Sequence, residues 1–285
     1  MSYKKYFVYK KQVSGDGGIT WQDTVPLETT PSGDPIASYS TLNECEGNGF
    51  KLYVTYLDGT HYTIPCSSSS ETLTRQDTRE PRAPQSHQNI TDVVIGECVT
   101  TIGEEALGNF VVADGFLNLS GVTLPNNLTT IDDEGFLASQ AIKKITIPDS
   151  VTTIGHASFA GCVGLTELTI GSGVTIISDN AFQQIGVEHL TVPDNITTIG
   201  FDGFYQNENC KTITLGRGIS TIGDYAFYYY PILESITIHA VNPPFLSTHA
   251  FDETNNAPIY VPAASVNAYK SAWPQLASRI QAIPT

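Results

Sequence analysis

One sentence of sequence, ITIPDSVTTIGHASF at 145–159, recurs along this chain. Its siblings are VTLPNNLTTIDDEGF (122–136), LTIGSGVTIISDNAF (168–182), LTVPDNITTIGFDGF (190–204) and ITLGRGISTIGDYAF (213–227), with a weaker first copy, VVIGECVTTIGEEAL (93–107). The closing positions are Leu107, Phe136, Phe159, Phe182, Phe204, Phe227 and Phe251; after a first interval of 29 they advance by 22 to 24 residues. A period of that length marks stacked supersecondary units. A single unit cannot bury its own Ile, Val and Phe side chains, whereas stacked copies cover one another, so the chain is expected to form a solenoid with a continuous core.

Each copy yields to simple geometry. Ile145 and Ile147 point to one side and Thr146 to the other, the period-2 signature of a strand. Pro148, or Gly171 and Gly216 in other copies, ends that strand at a turn. A second extended piece, VTTIG, anchors Val151 and Ile154; Gly155 is read as a tight corner, followed by a short helical or looped segment carrying Ala157 and Phe159. Two strands per coil imply two short, mainly parallel ladders, because equivalent strands run the same way in successive coils. Thr123, Thr146, Thr169, Thr191, Thr214 and Thr237 share one register and should form an exposed outward ladder. That ladder suits solvent and could also bind a ligand. Residues 109–120 interrupt the pattern, as an outward loop or an adaptor.

The two ends depart from the repeat. After Pro243-Pro244, residues 258–285 open with a strand, Ile259 to Val261. Val266, Tyr269, Trp273, Leu276 and Ile280 then follow at helical spacing. This is expected to be a helical cap with Tyr269 and Trp273 in its core, shielding the last coil from water. Residues 1–66 lack the repeat. FKLYVTYLDGTHYTIP (50–65) reads as a hairpin turning at Asp58-Gly59, and YKKYFVYKKQ as a further strand before an SGDGG turn. This predicts a small β-rich attachment module, joined through a polar linker at 67–89 to a solenoid at 90–257 and a cap at 258–285. A strap of 67–89 packed on the first coil is the alternative.

The repeat resembles the BspA-like, or Treponema pallidum type, leucine-rich repeat family, whose pattern runs approximately LTSITIP, then VTSIGDYAFxGC. Ile145-Thr-Ile-Pro148, Val151-Thr-Thr-Ile-Gly155, Phe159-Ala-Gly-Cys162 and Ile222-Gly-Asp-Tyr-Ala-Phe227 carry the match. The tail, from Tyr260-Val-Pro262 through Tyr269, Trp273 and Ile280, looks like the closing segment of Bacteroides-type members. The resemblance implies a leucine-rich-repeat solenoid and a surface-exposed bacterial protein engaged in adhesion. Its implied partner is a host or bacterial surface protein or glycan. The family defines no universal ligand site, so no binding residue carries over. A surface member should have a signal, yet the start, MSYKKYFVYKKQ, reads as a mature beginning. Tyr9-Lys-Lys-Gln12, Trp21-Gln-Asp23 and Gly33-Asp-Pro-Ile36 also weakly resemble modules of Bacteroides phage or prophage structural proteins. The alternative is therefore a virion structural or decoration protein that meets other virion proteins, or forms a homo-oligomer, through residues 1–66.

Composition and motifs narrow the chemistry. With 29 acidic against 14 basic residues, nucleic acid and anionic lipid are disfavoured partners, and no apolar run suggests membrane insertion. The histidines at 61, 87, 156, 189, 239 and 249 fall in unrelated positions, and no nucleophile elbow or P-loop occurs. His156 occupies a slot filled elsewhere by Glu104, Asp179 or Asp224, and is read as a surface residue. Acidic residues at 104, 105 and 132–134 could align but lack loop-spaced calcium ligands. Cysteines 45, 66, 98, 162 and 210 are scattered and read as structural thiols ahead of disulfides or a metal site. No catalytic, cofactor or metal residue is assigned, and the chain is expected not to be an enzyme. The distinctive surface feature is YYYP: Tyr228, Tyr229 and Tyr230, with Tyr205 and Tyr225 nearby, form a candidate binding surface. The competing reading is that one ring fills the coil and the others lie on its surface.

Overall fold

The structure is a computed structural model describing residues 10–13, 19–22, 50–68, 70–79, 89–108 and 118–284. It is a stack of coils in which each repeat contributes one strand to each of two parallel ladders. The first ladder takes the xITIP-type strands. Lys144–Thr146 pairs with Glu167–Thr169, and in a second run His189–Val192, Thr212–Leu215, Ser235–Ile238 and Ile259–Val261 pair in turn. The second takes the two-residue strands, Thr130–Ile131 against Thr153–Ile154, Ile176–Ile177 against Thr198–Ile199, and Thr198–Ile199 in turn against Thr221–Ile222. Inward residues of both ladders, among them Ile145, Ile154, Ile177, Ile199, Ile213 and Ile222, are buried.

A third hydrogen-bonded strip replaces the expected helical or looped segment. The backbone around each Phe alternates between right- and left-handed residues: Ala157 and Gly161 flank Phe159, Asp202 and Gln206 flank Phe204, and Tyr225 and Tyr229 flank Phe227, all with positive φ. Alternate N–H groups then reach the next coil, as in Ala157 N–H to Asp179 O at 3.0 Å, Phe159 to Ala181 at 2.8 Å and Gly161 to Gln183 at 2.8 Å. These bonds satisfy backbone groups that a buried loop would otherwise strand. They also hold the Phe side chains in a column. Phe136, Phe159, Phe182, Phe204, Phe227 and Phe251 stack with centroids 4.9–5.6 Å apart and planes within 4–11°. Gly155 acts differently from the expected corner: its φ is ordinary, but an added Cβ would lie 2.5 Å from the Asp133 backbone nitrogen. It is glycine because neighbouring coils approach there, not because the chain turns left-handed.

The boundary drawn after residue 66 does not separate the described elements. The hairpin exists, Phe50–Tyr56 against His61–Pro65, but Phe50–Tyr56 also pairs antiparallel with Ile90–Ile95, the first strand of the array. Within 67–89, read above as a linker, Glu71–Leu73 joins the second ladder beside Val99–Ile102, and a short helix, Arg75–Arg79, follows. Three residues are enough to extend a ladder when a preformed edge supplies their hydrogen bonds. Lys51 Nζ, nearly buried, lies 2.8 Å from Asp77 and 3.4 Å from Glu71. Burial alone would raise the Asp77 carboxyl; hydrogen bonds from Lys51 and Thr74 overcome it and hold it below the usual range. Cys66 and Cys98, expected as separate thiols, form a disulfide tying the hairpin to the first coil. Cys162 and Cys210 are buried thiols, as expected, and burial raises both. Lys10–Val13 and Ile19–Gln22 pair antiparallel. Cys45 and residues 109–117 of the interrupting block lie outside the described residues.

The C-terminal cap buries Tyr269 and Trp273 as expected. Tyr269 donates its hydroxyl to Ala240 O at 2.8 Å, and the Trp273 indole N–H reaches Pro244 O at 3.1 Å. Its helix, Val266–Ala272, is shorter than the spacing implied. It stops before Pro274, and Ile280 lies in a strand, Ile280–Ala282, parallel to Ile259–Val261. Among the described residues no helix is long and apolar enough to cross a membrane.

Candidate functional site

The coil-to-coil strip fixes the side chains around each Phe into columns, and those columns place the tyrosines. Tyr205 and Tyr228 each follow the spine Phe directly, a position held by Leu137, Ala160 and Gln183 in earlier coils. Their rings stack at 5.5 Å with planes 8° apart. Tyr225 meets Tyr228 edge-on at 5.4 Å, and its face is covered by His249 at 4.8 Å and 7°. Phe201, an exposed residue, meets Tyr225 edge-on at 5.8 Å, and exposed Tyr229 lies beside Tyr228 at 6.3 Å. The result is a continuous aromatic strip across three coils, a contact surface no single copy contains.

Tyr230 is not part of it. It stands in the column of Ser139, Cys162, Ile185 and Asn207, which point inward in every coil, and is 0% exposed. Its hydroxyl donates to Phe204 O at 2.6 Å and accepts from Asn207 Nδ2 at 3.1 Å. Burial pushes its phenol well up. The alignment of Tyr228-Tyr-Tyr230 with Ala160-Gly-Cys162 already contained this signal: the third tyrosine shares the slot of a buried cysteine.

Acidic groups border the strip. Asp224 accepts from the His249 backbone N–H at 2.8 Å and faces the His249 ring at 3.1 Å; burial would raise its carboxyl, but these contacts hold it below the ordinary value. Asp202 moves the other way. Burial raises it, the Asn180 amide opposes, and the neighbouring carboxylates of Asp179 and Asp224 add to the rise; one of its oxygens, Oδ1, has no hydrogen-bond partner. Burial, then Asp202, also raises the Tyr205 phenol, so its hydroxyl stays a donor. Phe201, exposed beside Tyr225, carries apolar surface into this acidic, hydroxyl-rich exterior.

The threonine ladder lies on a different face. Thr123, Thr146, Thr169 and Thr191 are exposed, and Thr214 and Thr237 partly so; Thr146 pairs with Thr169, and separately Thr191 pairs with Thr214 and Thr214 with Thr237. The geometry presents them outward along the first ladder. His156 is exposed, and its backbone N–H is held by Asp133 at 2.7 Å. Among the described residues no group of three His, Cys, Asp or Glu side chains is placed to hold a metal ion. The phage-like motifs fall largely outside the described residues.

The model of the BspA type leucine rich repeat region matches residues 81–140 and 129–258. Among solved structures, the chain is similar to the T. pallidum leucine rich repeat protein TpLRR at 17% identity, covering 68% of this chain and 92% of that one, with a TM-score of 0.46. It is also similar to a leucine rich cell surface protein from Faecalibacterium prausnitzii, at 14% identity over 100% of this chain and 96% of that one, TM-score 0.40. A leucine-rich repeat protein from Bacteroides ovatus matches at 15% identity over the whole of both chains, TM-score 0.28. No curated protein matches.

Proposed function

The chain belongs to the BspA-type leucine-rich repeat family, often surface and adhesion proteins and generally non-catalytic, and from that premise we propose that it is a non-catalytic binding protein whose aromatic strip grips a protein on a cell surface. The observation that carries this reading is the strip itself: Tyr205, Tyr225, Tyr228 and Tyr229 occupy outward columns that earlier coils fill with unrelated residues. Tyrosine gives large amphipathic contact area at low entropic cost. Tyr205 and Tyr228 turn their faces to each other and Tyr225 turns one to His249, leaving ring edges and hydroxyls for the partner. Asp202 and Asp224 beside them suit a partner surface carrying Lys or Arg.

The Cys66–Cys98 disulfide supports a location outside the cytoplasm, because such bonds persist in oxidising surroundings. It weighs against a particle assembled among reduced thiols. The test uses labelled full chain on host cells, intact or stripped of surface protein by trypsin. Saturable binding should vanish after trypsin and weaken by about tenfold or more in Tyr228→Ala/Tyr229→Ala. Binding that the double variant leaves unchanged contradicts the proposal.

A further inference from the structure

A second site is built where the antiparallel hairpin meets the first parallel ladder, on a face away from the aromatic strip. The registers join hairpin and array into one outward row, His61–Thr55–Asp92–Gly121, continued by the repeat through Lys144 and Glu167. Along this row, side chains of adjacent strands hold one another. His61 Nδ1 lies 3.3 Å from Thr55 Oγ1, Lys144 Nζ 2.8 Å from Glu167, and His189 Nδ1 2.9 Å from Thr212 Oγ1. The sequence breaks that habit at one place. Gly121 offers no side chain, and a Cβ there would lie 2.1 Å from Asp92 Oδ1. The glycine thus makes room for the Asp92 carboxylate and leaves a notch between it and the Lys144 strand. Among the described residues Asp92, which is exposed, makes no ion pair or side-chain hydrogen bond.

The notch opens into a cleft of about 610 Å³, lined by Tyr53, His61, Asp92, Thr123, Lys144 and Thr146 among others. That volume falls within the range of ligand clefts, about 300–1,000 Å³. Its polar groups are a carboxylate that only accepts, an ammonium that only donates, and hydroxyls that do both. Its wall is a stacked pair, Tyr53 and His61, at 5.1 Å and 26°. Burial lowers His61, with Asp58 partly opposing, so the imidazole adds no positive charge at neutral pH. A carboxylate against vicinal hydroxyls, donors opposite and apolar carbon alongside is the complement of a neutral pyranose, not of an anion, which Asp92 and the net charge of −15 would repel.

We propose that this cleft binds one neutral sugar unit of a glycan, with Asp92 accepting from its hydroxyls and Lys144 donating to them. Saturation-transfer NMR on the full chain, with glucose, galactose, mannose, fucose and N-acetylglucosamine offered separately, tests it. At least one sugar should receive signal. Its affinity should fall about tenfold or more in Asp92→Asn, the loss of a charge-assisted hydrogen bond, fall also in Lys144→Gln, and stay unchanged in Tyr228→Ala. Both positions are exposed, and an unchanged melting temperature verifies that each variant folds. Transfer to none of the sugars, transfer that survives both cleft variants, or transfer that follows Tyr228 instead overturns the assignment.

Discussion

The interior coils and the N-terminal end of the array meet the same demand, burial of one open apolar face, with different chemistry. Between Phe136 and Phe251 every coil has a neighbour, and the stacked rings run unbroken from one to the next. The first coil puts Leu107 in that slot, and among the described residues no earlier coil covers it. There the chain uses an antiparallel hairpin, the Glu71–Leu73 strap, a disulfide and the Lys51 ion pairs. The difference teaches that repetition stabilises only where it can continue. An end has to be stopped by residues that do not repeat.

The largest test of this contrast is a hole in the spine. Phe182→Ala removes a fully buried ring stacked on both faces, and denaturant unfolding should show a loss of about 3–5 kcal/mol. A loss below about 1 kcal/mol would mean that the coils are held mainly by their ladders. The end should answer to a smaller change of another kind. Opening the disulfide with Cys66→Ser should cost about 2–4 kcal/mol. Hydrogen exchange should quicken at Phe50–Tyr56 and Glu71–Leu73 while amides near Phe182 keep their protection. Uniform quickening along the array would show that end and interior are a single cooperative block, erasing the distinction.

What could be read beforehand follows the same division. The coil, its inward Ile and Phe positions and the outward threonines were legible because seven copies vote on each position, and Tyr269 and Trp273 because helical spacing exposes an apolar face. The third strip was not, because its left-handed residues include Glu105, Glu134, Ala157 and Tyr225, which carry no turn signature. The strap was hidden by brevity: three residues of Ser-flanked sequence cannot declare a strand without the edge that pairs them. The disulfide joins residues 32 apart through a hairpin whose docking no local pattern announces. Of the five tyrosines that sequence grouped, four lie side by side and Tyr230 is buried, as the competing reading of one ring filling the coil had it; at the cleft sequence gave nothing. Gly121 matters only when Asp92 lies across from it.

The central claim is that inward columns build the array whatever residue fills them, while outward columns where coils differ are free to bind. Tyr228 and Tyr230, two residues apart, put that claim to a direct trial by thermal and denaturant unfolding. Tyr230→Ala empties an inward column and should cost about 3–5 kcal/mol. Tyr228→Ala, losing only a surface stack, should cost about 1 kcal/mol or less. Equal, large losses from both would contradict the account, since the strip would then be packing and not a surface held in reserve for a partner.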